Sequence, residues 1–286
     1  MIRPLPLTSV RSEPPKNNNT KERQRIDMRN TNTSDNHQIE IPIGHDPEGK
    51  SVSLFFSNGA RNHYYITGGP GSGKSYFLKA MVNSAVKKYD SSNLAIWGDF
   101  APEDIEKSWH SLLDYICLPE QNHVEREISI IDRAYEEVQK RCQILAKENV
   151  SSYLQTNSFP FLLVIIDELR SLLFLDLDNE YGSDYTEKLM TVLRMSHAVG
   201  VSIICTSQLP IDRMRGFTGA MIDLFNVRIA LEPRDNNIYE YLSVSPSELS
   251  REDNEVIRYL SLLCPGDFVL VDRYGSRRAC TGRVEL

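Results

Sequence analysis

The chain lacks any apolar run long enough to cross a membrane. Its longest apolar stretch, residues 159–169, falls short of the ~20 residues that a membrane-spanning helix needs and includes the carboxylates of Asp167 and Glu168. The first residues also lack the apolar core of a signal peptide. We therefore expect a cytoplasmic protein without a membrane span.

Cysteine is scarce, and no two cysteines are close in sequence. The five cysteines are Cys117, Cys142, Cys205, Cys264 and Cys280. This spacing provides neither a zinc motif nor a disulfide framework and fits a reducing compartment.

Basic residues are also fewer than acidic residues. The chain has 32 Lys and Arg against 39 Asp and Glu, a net charge of −7. Residues 1–37 alone carry +3, so the remainder is more acidic, at −10. An acidic body argues against a protein that coats nucleic acid over a broad surface, although it is compatible with a grip made by a few local loops.

The apolar residues present are enough for one large domain. They make up 41% of the 286 residues, which is close to the globular average. Residues 1–37 are rich in Asn, Arg, Pro and Thr and hold almost no large apolar side chains after Leu7. The composition therefore predicts a disordered polar tail over 1–37 and one ordered α/β domain over 38–286.

Short apolar segments alternate with segments of helical periodicity. Predicted strands lie at 63–67, 94–97, 161–166, 201–206, 227–231 and 267–271, and predicted helices at 75–89, 124–148 and 185–199. Fully apolar strands that alternate with helices are typical of a mostly parallel sheet flanked by helices.

A glycine-rich loop follows the first of these apolar strands and precedes a helix. Its residues are Gly68, Gly69, Pro70, Gly71, Ser72, Gly73, Lys74 and Ser75, a full match to GxxxxGK[ST] in the context that the motif requires. The glycines allow successive backbone N–H groups to cradle phosphates, and the helix N-terminus adds partial positive charge. We expect this loop to bind ATP, with Lys74 on the β- and γ-phosphates and the Ser75 hydroxyl on Mg²⁺.

Polar side chains at the ends of two later strands complete the predicted site. Asp167 and Glu168 follow a buried strand, where an open parallel sheet places its ligand. Asp167 is the expected Mg²⁺ ligand and Glu168 the expected base that polarises the attacking water. Gln208, after the strand at 201–206, stands where ATPases with an extra strand between the loop strand and the acidic strand sense the γ-phosphate. A strand-end carboxylate is alternatively a helix cap, and a Gln there a turn residue.

With these sites in place, the chain resembles the FtsK/SpoIIIE family of motor ATPases, including its conjugative coupling and type VII secretion (EccC-like) members. The resemblance covers residues 40–275. Besides the loop, it rests on the segments at 41–49, 137–141, 198–201, 206–208, 218–219, 228–229 and 265–267. The resemblance implies a P-loop NTPase fold of the RecA/ASCE-like type, Mg-dependent ATP hydrolysis, and a hexameric ring that translocates double-stranded DNA or couples DNA transfer.

The sequence allows more than one substrate and more than one partner for this chain. The family's usual Gln-Arg-Pro reads Gln208-Leu209-Pro210 here. Arg213 and Arg215, in the following loop, are the candidate DNA contacts, with ordinary surface arginines as the alternative. A protein-handling ATPase of the EccC-like type and a non-motor nucleotide-bound scaffold are the competing functions. The partners to be expected include a relaxase, a recombinase or a secretion partner.

A ring also implies an arginine supplied by the neighbouring subunit. Phosphoryl transfer builds up charge that such an arginine commonly neutralises. The candidates are Arg133 and Arg141 on the helix at 124–148 and Arg194 on the helix at 185–199. Each is alternatively a surface ion-pair partner without a catalytic role.

Overall fold

The computed structural model describes residues 38–56, 63–100, 105–116, 123–169, 180–214, 217–231, 238–259, 266–272 and 279–284. These residues belong to one unit, Asn36–Leu286. The predicted tail at 1–37 lies outside the described residues, so the predicted domain boundary stays a prediction. No helix in the described ranges is long and apolar enough to span a membrane.

Ten strands and six helices are described. The strands are β1 (Ile39–His45), β2 (Ser51–Phe56), β3 (Tyr64–Thr67), β4 (Leu94–Gly98), β5 (Leu113–Ile116), β6 (Phe161–Ile166), β7 (Val201–Ser207), β8 (Val227–Leu231), β9 (Asp267–Asp272) and β10 (Ala279–Val284). The helices are α1 (Lys74–Lys88), α2 (His123–Glu148), α3 (Glu180–Met195), α4 (Gly219–Leu224), α5 (Ile238–Tyr241) and α6 (Arg251–Tyr259).

All ten strands form one sheet in the order β2-β1-β10-β9-β8-β3-β7-β6-β4-β5. The six strands from β8 to β5 pair in parallel. The remaining pairs, from β8–β9 to β1–β2, are antiparallel. The predicted fold class, a mostly parallel sheet flanked by helices, is confirmed, and an antiparallel wing of first and last strands extends it.

The two faces of the sheet bury separate cores. Along β6, Leu163 and Ile165 pack into the core that contains α1, whereas Leu162, Val164 and Ile166 pack into the core that contains α2 and α3. Alternate side chains of a strand point to opposite faces, so a strand covered on both faces must be apolar at every position. This is why the segment is an uninterrupted apolar run.

Helix α3 ends earlier than the sequence pattern predicts. It runs to Met195 instead of continuing to 199, because the chain turns back there: the Val201 N–H donates to the Ser196 carbonyl at 2.9 Å. Gly200 has a φ of +66°, and a side chain on it would meet the ring of Tyr153. The turn therefore needs a glycine in the left-handed conformation, and it delivers the chain directly into β7.

Candidate nucleotide-binding site

The glycine-rich loop connects β3 to α1 and is shaped as a cradle. Gly73, with a φ of +98°, immediately precedes Lys74, the first residue of α1. A side chain on Gly68 would lie 2.9 Å from the backbone carbonyl oxygen of Leu231, which cannot turn aside, so glycine is required there. The buried Ser72 hydroxyl has no hydrogen-bond partner among the described residues. The backbone of the loop and the unpaired Ser72 hydroxyl therefore fit a phosphate group bound in the loop.

The side chain of Lys74 folds back over the loop. Its ammonium group donates to the Gly68 carbonyl at 2.8 Å and to the Gly69 carbonyl at 3.4 Å. Burial lowers the pKa of Lys74, while the negative charges of Glu168 and Asp167 oppose that change. The ammonium is therefore held against the loop by two backbone carbonyls and lies within the electrostatic influence of both carboxylates.

The strand order brings the acidic pair and the amide together. Strand β7 lies between β3 and β6, so Gln208, just after β7, is beside Glu168, just after β6. The Gln208 side-chain amide donates to a Glu168 carboxylate oxygen at 3.0 Å. The Thr206 hydroxyl donates to a carboxylate oxygen of Asp167 at 2.6 Å and accepts the Glu168 backbone N–H at 3.0 Å. Lys74, Asp167, Glu168 and Gln208 thus meet at the carboxyl edge of the sheet, and their chemical roles stay predictions.

The donor set at this edge fits Mg²⁺. The Ser75 side chain is exposed at the mouth of the loop, and Asp167 is half-buried. A hydroxyl and a carboxylate are the hard oxygen ligands that Mg²⁺ takes in proteins, the remaining positions going to phosphate oxygens and water. Ser75 and Asp167 are therefore the residues that would hold the ion.

Two buried carboxyl groups beside the site were not among the predicted site residues. Asp99, after β4, accepts the Asp167 backbone N–H at 2.6 Å, and Glu127, on α2, accepts from the Tyr185 hydroxyl at 3.3 Å. Burial raises the pKa of Asp99 to about 8, and burial, helped by the charge of Asp99, raises that of Glu127 well above its ordinary value. The position of Asp99 after a strand was a usable signal, whereas Glu127 lies within a charge-rich helix and gave none.

Of the three candidate arginine fingers, Arg141 is placed where it cannot act. Its side chain is only 3% exposed. The guanidinium donates to the carbonyls of Pro160, Val199 and Gly200 at 3.0–3.2 Å and to the carboxylate of Glu137 at 2.9 Å. An arginine bound in this way within its own subunit has no reach to a neighbour. We therefore correct the prediction for Arg141, which fixes α2 to the turns before β6 and β7.

The other two finger candidates are at the surface. The Arg133 guanidinium lies over the ring of Trp97, 5.2 Å from its centroid. Arg194 is exposed in the last turn of α3.

The two predicted DNA contacts have different outcomes. Arg213 is exposed and forms an ion pair with Glu240. Arg215 lies outside the described residues, so its contact with DNA stays a prediction.

These features define a P-loop ATPase site, and known proteins of that class are similar to the chain. The model of the FtsK/SpoIIIE family matches residues 23–158, just under half of the chain, and begins inside the predicted tail. A DNA translocase FtsK from Tropheryma whipplei (strain TW08/27) is 22% identical over 192 residues, which cover 62% of this chain and 25% of that protein. A second DNA translocase FtsK, from Treponema pallidum (strain Nichols), is 24% identical over 212 residues, which cover 68% of this chain and 25% of that protein. The chain thus spans about a quarter of the length of these relatives.

Solved structures share the fold. The cytoplasmic domain of the type VII secretion ATPase EccC of Thermomonospora curvata superposes with a TM-score of 0.64 at 19% identity, over 90% of this chain and 29% of that one. The pCW3 conjugation coupling protein TcpA, in a monomer form with ATPγS, superposes with a TM-score of 0.60 at 16% identity. The match covers 88% of this chain and 66% of that one. The resemblance stated from the sequence is confirmed: the chain is similar to proteins of the FtsK/SpoIIIE family in sequence, and it shares the fold of P-loop ATPases of that type.

Proposed function

We propose that the chain is an ATP-hydrolysing motor domain that assembles into a hexameric ring and translocates double-stranded DNA or couples its transfer. The observation that carries the proposal is the meeting of Lys74, Asp167, Glu168 and Gln208 at one edge of the sheet. A nucleotide-bound scaffold would not need a base and an amide aligned at the position of the γ-phosphate. The curated relatives named DNA translocase favour DNA as the substrate. We propose a cytoplasmic location, where ATP is available.

The residues of the site divide the reaction between them. The loop N–H groups bind the phosphates, and the Lys74 ammonium neutralises charge on the β- and γ-phosphates. Mg²⁺, when held by Ser75 and Asp167, supplies charge neutralisation on the same phosphates. Glu168 accepts a proton from the water that attacks the γ-phosphate, and Gln208 orients the Glu168 carboxylate.

Completion of the site by a neighbour is part of the proposal. Among the fingers predicted from the sequence, Arg194 and Arg133 stay in place as surface residues. The acidic body keeps separate subunits soluble, so we expect rings to form with rising concentration, ATP and DNA.

A polypeptide substrate is the second candidate function. Arg213, the described member of the predicted DNA-contacting pair, has its charge engaged by Glu240, which weakens its claim to a phosphate. The EccC-type neighbours share only the fold. A secretion-type ATPase therefore stays the alternative, with a relaxase, recombinase or secretion protein as the partner to be identified.

The decisive experiment measures the ATPase rate per subunit over a hundredfold range of protein concentration, with and without duplex DNA. A ring motor on DNA gives a rate that rises with concentration and rises again with DNA. Stimulation by unfolded or signal-type polypeptide instead of DNA would favour the secretion alternative. A rate that stays flat on dilution and ignores DNA would leave a self-sufficient ATPase and overturn the ring-motor proposal.

A further inference from the structure

The backbone just beyond β6 is held from both sides by side chains of the flanking strands. The ladder with β7 ends at the pair Ile166 and Cys205. The next two backbone N–H groups therefore have no strand partner. The Asp167 N–H donates to Asp99, which follows β4, and the Glu168 N–H donates to Thr206 of β7. Buried backbone N–H groups must be paired, so these two side chains decide the path of the turn.

One hydroxyl connects the two carboxylates of the site. The Thr206 side chain is fully buried, and its oxygen has one proton to donate and lone pairs to accept. Because a backbone N–H can only donate, the Thr206 oxygen accepts from Glu168, and its own proton is left for the Asp167 carboxylate at 2.6 Å. A single side chain thereby fixes the backbone of one acidic residue and the carboxylate of the other.

The conformation of Glu168 shows why the turn needs such support. Its φ of +63° lies in the left-handed region, which residues with a side chain rarely adopt. Strained backbone of this kind persists only where surrounding contacts hold it. The bond from the Glu168 N–H to Thr206 acts directly on the backbone of this residue, whereas Gln208 contacts its carboxylate. Without the bond to Thr206, the backbone that presents the carboxylate to Gln208 is no longer held in this conformation.

We propose that Thr206 is a positioning residue for the ATPase reaction, which aligns the Mg²⁺ ligand Asp167 and the base Glu168 through one hydroxyl. Asp99 supports the same turn from the opposite strand. The inference rests on the ATPase activity proposed above. It assigns to Thr206 no contact with the nucleotide, so the effect of its loss must appear through Asp167 and Glu168.

The test compares variants that differ only in the hydroxyl. Thr206→Val keeps the shape of the side chain and removes the hydroxyl, Thr206→Ala removes it without adding bulk, and Thr206→Ser keeps it. The matched control is Thr281→Val, a buried threonine on β10 outside the site. Four quantities are measured for each variant: kcat for ATP, KM for ATP, the affinity for a fluorescent ATP analogue with and without Mg²⁺, and the melting temperature.

We expect Thr206→Val to lower kcat about tenfold to a hundredfold, because the variant loses a hydrogen bond to a charged group. The gain in analogue affinity on adding Mg²⁺ should shrink, since Asp167 is misaligned, while the affinity without Mg²⁺ stays near that of the unchanged protein, since the loop is intact. Thr206→Ser should recover most of both effects. Thr281→Val should leave kcat and the Mg²⁺ dependence unchanged.

Two outcomes would overturn the proposal. The first is a Thr206→Val or Thr206→Ala variant with unchanged kcat and unchanged Mg²⁺ dependence. The second is an equal loss of analogue affinity with and without Mg²⁺ in all three Thr206 variants, Thr206→Ser included, together with a lower melting temperature. A threonine with a purely structural role would give that pattern. If Thr206→Val fails to fold, Thr206→Ala gives the same comparison. The binding measurement needs no hydrolysis, so failure of the proposed motor function and failure of this inference are distinguishable.

Discussion

The side-chain amide of Gln208 donates a hydrogen bond to the carboxylate of Glu168 at 3.0 Å, across the gap between the ends of β7 and β6. The two residues are 40 positions apart in the sequence. Their contact joins the group predicted to sense the γ-phosphate to the group predicted to activate water.

Removal of this amide should slow the chemical step. We expect Gln208→Ala to reduce kcat about tenfold to a hundredfold, because a hydrogen bond to a charged group contributes roughly 1.5–3 kcal/mol. The affinity for ATP should change little, since the loop and Lys74 are untouched. Steady-state kinetics on Gln208→Ala and on Gln139→Ala, a control on α2, would check this. A variant that loses affinity but keeps its kcat would contradict the role given to Gln208.

Lys74→Ala and Glu168→Gln should both abolish hydrolysis but differ in binding. Lys74→Ala removes the charge that faces the phosphates and should weaken nucleotide affinity itself. Glu168→Gln keeps size and hydrogen bonding but cannot accept a proton, so ATP should remain bound and uncleaved. Filter binding of labelled ATP alongside product release separates the two. Undiminished turnover in both variants would show that the site is assigned to the wrong residues.

Arg141 should matter for stability and not for chemistry. Arg141→Met removes a donor from the carbonyls of Pro160, Val199 and Gly200 and from the Glu137 carboxylate. The Leu162 N–H still donates to Gly200, and Lys140 still donates to Glu137. The variant should therefore lose about 1–3 kcal/mol of unfolding free energy for each buried carbonyl left unpaired. Lys140→Met, at the exposed neighbouring position, should change it by less than about 0.5 kcal/mol. Urea denaturation measures both. A stable Arg141→Met protein with a collapsed kcat would restore Arg141 as a catalytic candidate.

An arginine finger should complement in trans. If Arg194 completes the neighbour's site, Arg194→Ala should lower kcat about 10³-fold or more without loss of stability. Mixing Arg194→Ala subunits with Lys74→Ala subunits should then restore activity, because some interfaces combine an intact loop with an intact arginine. Arg133→Ala is the parallel test for the second candidate. The absence of any recovery in either mixture would show that neither arginine acts across an interface.

His63 should make the fold sensitive to acid. Its ring accepts the Ile203 N–H at 3.0 Å and contacts the Ser196 hydroxyl at 2.9 Å, and burial lowers its pKa to about 4 from 6.5. Between pH 6.5 and pH 4 the unfolded chain takes up a proton that the folded chain refuses, so stability falls as the pH falls. The full effect is about 3 kcal/mol.

The measurement is a set of denaturation curves at several pH values for the unchanged protein and for His63→Gln. The variant should be less stable near neutral pH but should lack this part of the decline below pH 6.5. The raised pKa of Asp99 contributes in the opposite direction, since the folded state keeps its proton up to about pH 8, and this contribution is shared by both proteins. Equal pH slopes in the two proteins would mean that folding does not lower the pKa of His63.

Local pattern predicted the parallel half of the fold closely. The apolar run at 161–166 and the segment at 227–231 are strands with the predicted bounds, because strands buried on both faces must be apolar throughout. The glycine loop was predicted equally well, since the positive φ of Gly71 and Gly73 and the close approach of Gly68 to the Leu231 carbonyl demand glycine at fixed spacing. The wing of β1, β2, β9 and β10 was not predicted as one sheet, because pairing between the two ends of a chain leaves no mark in local periodicity.

The sequence by itself determined that this protein has a phosphate loop, an acidic strand end and an amide after a later strand, since each depends on a few neighbouring residues. Only the tertiary structure decided which of the charged side chains share that site. It buried Arg141 under the turns before β6 and β7, and it brought Asp99 and Thr206 against the turn at Asp167. The physical reason is that burial and hydrogen-bond pairing depend on the order of strands in the sheet, which joins residues far apart along the chain.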